Sequence, residues 1–228
     1  MRDKTIFRSS LGKSSLATAL FVFVVSTSTG FAGTTSTELS DDDLVRLKSG
    51  EILLQTTHSD KPGGAAQVTA LFHATADAVW DVIGDCKYEF IYIRGLKLCE
   101  VLKPGLSHML MRHRIRNSWY TPTLDFTFEV SRKSGHFGEA RLVEGDLRVL
   151  QGQWRLVSMA DGHYVIVTHQ IRIQPKIPAP RWLVRRSLRK DLPDMLACIR
   201  GLVKASGNSG RITADLRRCP GDVSATLK

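Results

Sequence analysis

The chain has 228 residues, with 32 Lys or Arg against 22 Asp or Glu and a formal net charge of +10. This length is enough for one sizeable domain with its own hydrophobic core. Excess positive charge often indicates a nucleic-acid partner, but no helix-turn-helix, zinc-finger or RNA-binding pattern accompanies it. We therefore expect no nucleic-acid partner, and an anionic membrane surface fits the charge better.

Residues 1–32 have the composition of a secretory signal peptide. Basic residues are frequent up to Lys13, residues 16–25 are almost entirely apolar, and Ala32 closes the stretch STGFA. The apolar run is too short to span a bilayer. We expect this segment to be cleaved and the protein to be exported to the periplasm, with an uncleaved N-terminal anchor as the alternative.

Residues 33–50 predict a polar segment followed by a short helix. Ser40 is placed to cap the helix, Asp43 occupies the capping-box position, and Gly50 is placed to end it. From residue 51 the pattern changes to that of β-strands.

The strand pattern is interrupted once, over residues 75–93. Thr75 is placed to cap a helix there, and Gly84 divides the segment into two short helices. Strand-like runs then continue to residue 177, separated by the turn signals KPG, KSG, EGD and ADG, as in an antiparallel meander.

A long amphipathic helix is predicted over residues 180–203. Its apolar residues recur every three or four positions, at Val184, Leu188, Leu192, Met195, Ile199 and Leu202. Pro193 lies inside this pattern and is expected to kink the helix. Residues 51–206 are therefore predicted to form one domain, and the tail at 207–228 is expected to be loose.

This order of elements predicts an α+β fold. A curved antiparallel sheet wraps around the long C-terminal helix, with two short helices after the first strand. Such packing buries the apolar stripe of the helix and the concave face of the sheet together.

Two stretches resemble a known superfamily. VTALFHATADAVWDVIGDCKYEFIYIRGLKLCEVL resembles its opening, and GDLRVLQGQWRLV followed by GHYVIVTHQIRIQPKIPAPRWLVRRSLRKDLPDML resembles the end of its exported bacterial branch. This is the START/polyketide cyclase-like (SRPBCC, helix-grip) superfamily, which also includes coenzyme Q-binding proteins and the birch pollen allergen family. The resemblance covers residues 45–203 and implies the helix-grip fold, with a cavity between the sheet and the long helix.

START-type relatives often carry an Arg-Asp pair early in the strand that TPTLDFTFEV occupies here. This chain has Leu124 before Asp125 at that place. The resemblance therefore does not carry START head-group recognition over to this chain.

Two histidines are predicted to point into the sheet's inner face. Strand alternation places Arg112, Arg114 and Arg116 on one face, expected to be in water, and His113 on the other. His169 alternates in the same way with apolar neighbours. Three interpretations of each histidine are open. It is a buried side chain whose hydrogen bonds go to a backbone carbonyl or water, a polar anchor for a ligand, or one member of an acid–base pair. No carboxylate was found on their face, which disfavours catalysis.

The candidate ligand-binding residues combine these histidines with apolar side chains that either line a cavity or fill a core. They are His113, Phe126, Phe128, Trp154, Val167, His169, Leu188, Leu192 and Met195. No catalytic residue, metal ligand or cofactor is assigned.

The first half of the long helix carries a cluster of positive charge beside a tryptophan. We interpret it either as an ordinary solvated helix face or as a surface that docks on anionic lipid head groups. The residues concerned are Arg181, Trp182, Arg185, Arg186 and Arg189.

The four cysteines allow three disulfide pairings, of which we favour Cys86 with Cys99 and Cys198 with Cys219. No C-x-x-C spacing or adjacent histidine indicates a metal site.

The function expected from the sequence is non-catalytic binding or transfer of a lipid or other hydrophobic small molecule in the cell envelope. A polyketide cyclase- or hydratase-like enzyme using the same cavity is the alternative. An envelope adaptor whose cavity has collapsed is a third interpretation.

Overall fold

The computed structural model describes residues 39–56, 62–117, 119, 121–133, 136–177, 179–207 and 218–221. The predicted signal peptide, residues 1–32, lies outside the described residues. The four described helices are α1 (Asp41–Lys48), α2 (Ala76–Ile83), α3 (Cys86–Tyr92) and α4 (Arg181–Gly207). The eight described strands are β1 (Leu53–Thr56), β2 (Gly64–Phe72), β3 (Leu96–Lys103), β4 (His108–Ile115), β5 (Leu124–Lys133), β6 (Phe137–Gly145), β7 (Leu147–Ser158) and β8 (Val165–Pro175).

The strands form one antiparallel sheet in the order β1-β2-β8-β7-β6-β5-β4-β3. The run from β3 to β8 is a meander, in which each strand pairs with the next along the chain. β8 then pairs with β2, which brings the two ends of the domain together. The predicted α+β helix-grip fold is confirmed, with α2 and α3 following β2.

Local sequence sets the ends of the short helices, and the predicted caps of α1 and α2 are confirmed. The Ser40 side chain accepts a hydrogen bond from the Asp43 N–H, and the Asp43 carboxylate completes the capping box. Thr75 caps α2 by accepting from the Ala78 N–H, and Gly84 ends it. Asp85 caps α3 by accepting from the Lys87 N–H.

The main core lies where α4 meets the first strands of the domain. α4 packs against β1, β2, α2 and α3, and its residues Leu196 and Ile199 are fully buried against Val68 and Ala70. Pro193 lies inside α4, which continues from Arg181 to Gly207.

Both favoured disulfides, Cys86–Cys99 and Cys198–Cys219, are confirmed. The second corrects the expectation of a loose tail for residues 218–221. Cys219 is bonded to α4, the Arg218 guanidinium donates to the Asp194 carboxylate at 3.0 Å, and the Gly221 N–H donates to the Ile91 carbonyl at 2.9 Å. A covalent bond and a backbone hydrogen bond hold this short segment on α3 and α4.

None of the helices within the described ranges combines the length and apolar character that a membrane crossing requires.

Candidate functional site: the inner face of the sheet

The inner face is built from residues that lie opposite one another on neighbouring strands. One row crosses six strands in register and consists of Met109, Val130, Ala140, Gly152, Ile171 and Ala66. Three of the six are glycine or alanine, so the middle of the row carries little side-chain volume. Small residues at the centre of a concave face leave room between the sheet and the helix that crosses it.

Two glycines on the inner face have different neighbours on the side of the sheet that faces α4. A Cβ at Gly64 would lie 2.9 Å from Leu188 Cδ1 and 3.1 Å from Val184 Cγ1, so α4 presses directly on β2. Among the described residues, a Cβ at Gly152 would meet only Ala140 Cβ at 3.4 Å and His169 Cε1 at 3.9 Å, both in the sheet. No α4 atom lies within 4 Å of that position.

We name this region the Gly152 hollow and define it by Ala140, Gly152, Trp154, His169 and Ile171. Gly152 and His169 are buried, whereas Ala140, Trp154 and Ile171 are only half-buried although they belong to the inner rows of the sheet. Apolar side chains that face inward and still meet solvent indicate a space that the protein's own side chains do not fill.

At one end of the hollow, α2 covers β6. A Cβ at Gly138 would lie 2.7 Å from Trp80 Cη2, so the Trp80 ring covers β6 at that end. On α4, the predicted ligand residues Leu188 and Met195 are half-buried and pack at the edge of the core. Leu192 and Val167, also predicted as ligand residues, are buried inside the core.

His169 is held in the floor of the hollow as a neutral side chain. Its Nδ1 lies 3.1 Å from the Gln153 carbonyl oxygen, and its ring stacks on Trp154, its cross-strand partner, at 3.9 Å between centroids. Burial lowers the pKa of His169 to about 4, although the hydrogen bond to the carbonyl acts in the opposite direction. The ring is 6 % exposed. The contact with the Gln153 carbonyl agrees with the interpretation of His169 as a buried histidine bonded to the backbone. The stacked rings of His169 and Trp154 also form a flat wall of the hollow.

His113 is buried beside a second apolar cluster in β4 and β5. Its ring centroid lies 4.7 Å from that of Phe128 and 6.0 Å from that of Phe126, which is its cross-strand partner. Both phenylalanines pack with Met111 and Leu150. Of the predicted ligand residues, His113, Phe126 and Phe128 therefore form one group, separate from the group on α4.

A carboxylate does reach His113, which corrects the expectation that none shares its face. Glu89 Oε2 of α3 lies 2.7 Å from His113 Nε2, and both side chains are less than 10 % exposed. The contact is close, but the two groups are not aligned as in a linear hydrogen bond. An imidazole paired with a buried carboxylate has the composition of an acid–base pair or of a polar anchor.

Sequence reasoning missed Glu89 because it compared only residues on the strands. The predicted disulfide between Cys86 and Cys99 could have indicated this contact. The Cys86–Cys99 disulfide ties α3 to β3, and Cys99 lies opposite His113 in the register of β3 and β4. Glu89, one turn after Cys86 on α3, is thereby carried to His113.

Tyr92 completes the buried polar group on α3. Its hydroxyl donates to the Ile83 carbonyl at 2.6 Å. Burial, reinforced by the nearby Glu89 carboxylate, raises the pKa of Tyr92 well above its usual value. Tyr92 therefore stays protonated and links α3 to the end of α2.

On the outer face, Asp125 binds two arginines of β4. Arg112 and Arg114 both donate to its carboxylate, at 2.8 and 2.9 Å. The Arg112 hydrogen bond contributes most to lowering the pKa of Asp125 to about 2. Asp125 thus finds its arginine partners on the neighbouring strand, whereas Leu124 stands before it in its own strand.

The basic end of α4 is largely exposed. Trp182 is 64 % exposed and Leu183 is 43 % exposed. Of the predicted docking residues, Arg181, Arg186 and Arg189 are exposed and Arg185 is half-buried. Trp182, Arg186 and Arg189 follow one another at steps of four and three, so they share one helix face, away from the apolar stripe.

One protein family and several solved structures resemble this chain. Residues 72–200 match the model of a family described as polyketide cyclase / dehydrase and lipid transport. No curated protein sequence matches the chain.

Solved structures with the same fold include proteins of both kinds. The STAR-related lipid transfer protein of Xanthomonas axonopodis (fragment 25–204) is 18 % identical, with a TM-score of 0.58, over 67 % of this chain and 93 % of that one. Human StAR-related lipid transfer protein 5 is 12 % identical, with a TM-score of 0.57, over 70 % and 84 %. The Zhui aromatase/cyclase of Streptomyces sp. R1128 is 14 % identical, with a TM-score of 0.51, over 70 % and 98 %. At these identities the likeness establishes the fold alone.

Proposed function

Because this chain belongs to the polyketide cyclase / dehydrase and lipid transport family, we propose that it binds a lipid or other hydrophobic small molecule between the sheet and α4. It carries that molecule without changing it chemically. The ligand binds in the Gly152 hollow, and Leu188 and Met195 of α4 contact the ligand from the opposite side. The observation that carries the proposal is the absence of any α4 atom within 4 Å of a Cβ at Gly152.

The cell envelope is the compartment we propose. The signal-peptide pattern of residues 1–32 supports export, and two disulfides in one small domain are typical of proteins from oxidising compartments. An apolar cargo that must cross an aqueous envelope needs a carrier that shields it from water.

Membrane docking through α4 is the second part of the proposal. Trp182 presents an exposed ring beside Arg186 and Arg189 on one helix face. Each Arg near an anionic surface contributes about 1 kcal/mol, which suits transient contact rather than permanent anchoring. Docking would bring the helix that covers the hollow to the lipid surface.

Native mass spectrometry of the protein purified from its own host, followed by solvent extraction, tests the carrier. We expect a discrete additional mass that belongs to an apolar molecule. Gly152→Leu should remove this mass, because the new side chain occupies the hollow without a backbone clash. Gly84→Leu is the matched control, since Gly84 is an exposed helix cap outside the hollow. Ligand retained by Gly152→Leu at wild-type level would refute the site.

Vesicle binding tests the docking surface. Arg186→Glu with Arg189→Glu should weaken binding to anionic vesicles at low salt by about thirtyfold or more, because two attractions are lost and two repulsions are gained. Lys97→Glu with Arg148→Glu makes the same change in charge at exposed positions elsewhere on the domain. Equal weakening in both double variants would mean that only the net charge of the protein matters, which would contradict docking through a specific surface.

A cyclase- or hydratase-like enzyme is the second candidate, and the contact between His113 and Glu89 favours it. With Glu89 orienting the ring, His113 would remove a proton from a carbon next to a carbonyl group. Incubation with a poly-β-ketone distinguishes the two functions. A carrier returns the compound unchanged, whereas an enzyme converts it and loses turnover in Glu89→Gln.

A further inference from the structure

Three side chains, including both cysteines of one disulfide, converge at the junction of α3 and β3, and a histidine of β4 contacts one of them. The Cys86 and Cys99 sulfurs and a Glu89 carboxylate oxygen all lie within 4.8 Å of one another. His113 Nε2 lies 2.7 Å from the same carboxylate. Two thiols, an imidazole and a carboxylate are the groups that bind Zn²⁺ in proteins.

Three regular elements hold these residues in place. Cys86 and Glu89 are one helical turn apart on α3 and therefore share a face. Cys99 of β3 lies opposite His113 of β4 in the sheet register, and Cys99 Sγ is 3.3 Å from Glu89 Oε2. The four groups are thus brought together by secondary structure rather than by a flexible loop.

One polar atom of this cluster lacks a satisfactory partner. His113 Nε2 is buried and makes no well-aligned hydrogen bond, despite its short distance to Glu89. A buried polar atom in that position costs free energy unless a further group binds it. Nε2 points toward the carboxylate that lies beside the two sulfurs.

We propose that reduction of the Cys86–Cys99 disulfide converts this cluster into a Zn²⁺ site with Cys86, Cys99, His113 and Glu89 as ligands. An external dithiol supplies two electrons and two protons, breaks the S–S bond and becomes a disulfide itself. Zn²⁺ then displaces the two thiol protons to solvent and binds the thiolates. With Zn–S bonds of about 2.3 Å, the sulfurs of a tetrahedral site are separated by about 3.8 Å, so the two sulfurs, which are bonded to each other in the oxidised chain, must move apart when the metal binds.

The site replaces one link between α3 and the sheet with another. In the oxidised protein the disulfide holds α3 on β3, and in the reduced protein the metal holds it on β3 and β4. The spacing of the cysteines along the chain predicted no metal site, because spacing alone does not show which residues meet in the fold. Within the described ranges, the Cys198–Cys219 disulfide has no comparable carboxylate or imidazole ligands around it, so the response is specific to the first pair.

Anaerobic titration of the full chain with Co²⁺, as a spectroscopic substitute for Zn²⁺, tests this proposal. The protein is reduced, the reductant is removed, and the thiolate-to-metal and tetrahedral absorption bands are recorded. We expect one equivalent of Co²⁺ per reduced chain, displaced by Zn²⁺, and no such bands for the oxidised chain. Cys86→Ser with Cys99→Ser should abolish the bands, whereas Cys198→Ser with Cys219→Ser should retain them.

Glu89 and His113 distinguish a folded site from adventitious binding by thiols. Glu89→Gln and His113→Phe should each weaken metal affinity by at least about tenfold, the loss already typical of groups outside the ligand shell. Glu129→Gln and His108→Phe are the matched controls, because these two residues form an exposed histidine–carboxylate pair elsewhere on the sheet, and they should leave affinity unchanged. No binding by the reduced wild type would overturn the proposal, and so would binding that is insensitive to Glu89 and His113, as expected from an unfolded chain.

Discussion

Gly64 and Gly152 lie on the same face of one sheet, yet a side chain added at each would meet different surroundings. At Gly64 it would strike Leu188 and Val184 of α4, whereas at Gly152 it would touch only the sheet. In the half of the sheet around β2, residues thus pack directly on α4, and at Gly152, in the half around β6 and β7, they do not. Stability should reside mainly in the first half and ligand binding in the second.

Truncation of buried side chains should give the largest difference between the two halves. Ile199→Ala removes a fully buried side chain of α4 and should lower the free energy of unfolding by about 2–5 kcal/mol. Ile171→Ala, at a half-buried position of the hollow, should cost less, about 1 kcal/mol, because its side chain is already partly exposed to solvent. Urea denaturation of both variants checks this, and equal losses would mean that the hollow is packed.

The pH dependence of stability should reveal His169, which lies at the border between the halves. Its pKa is about 4 in the folded protein and near 6.5 when unfolded. The unfolded chain therefore binds a proton first as pH falls, and stability is lost between pH 6.5 and pH 4, by about 3 kcal/mol at most.

His169→Phe, which retains a ring against Trp154, should flatten this part of the pH profile. The profile is measured by denaturation at pH 7, 5.5 and 4. An unchanged slope in the variant would show that other groups carry the effect.

A side chain added at each of the two glycines should destabilise the protein strongly only where α4 already occupies the space. Gly64→Val should cost about 1–3 kcal/mol, because α4 must move away from β2. Gly152→Val should change stability by less than about 1 kcal/mol, in either direction, since glycine is a poor strand residue and the added methyl groups enter open space. Thermal unfolding of the two variants measures the difference, and a large loss at Gly152 would contradict the hollow.

The smallest change in stability should come from a substitution on the outer face of the sheet. The carboxylate of Asp125 has its pKa lowered from 3.8 to about 2 by Arg112 and Arg114. Its contribution to stability is present above pH 4 and is lost as pH falls toward 2. Asp125→Asn should lower stability at pH 7 by less than about 1 kcal/mol, because the group is partly exposed and screened, and this difference from the wild type should disappear as pH falls toward 2. A change that persists unaltered at pH 2 would point to lost packing instead.

Much of the inner face could be predicted from the sequence because strand alternation has a period of two. That rule placed His113 and His169 inward and Arg112 and Arg114 outward, as the structure confirms. Proximity along the chain likewise favoured the correct disulfides. The same rules could not separate Val167 and Leu192, which are buried in the core, from Leu188 and Met195 at its edge, because all four are simply apolar and inward.

The sequence by itself determined the elements, their order and their faces, because caps, turn residues and hydrophobic period act over a few neighbouring residues. Only the tertiary structure decided that Glu89 meets His113, since α3 must first dock on β3 and β4. It alone decided that a side chain at Gly64 would meet α4, whereas one at Gly152 would meet no atom of α4 within 4 Å. Both outcomes depend on where α3 and α4 lie over the sheet, which is set by packing between residues distant in the chain and not by local pattern.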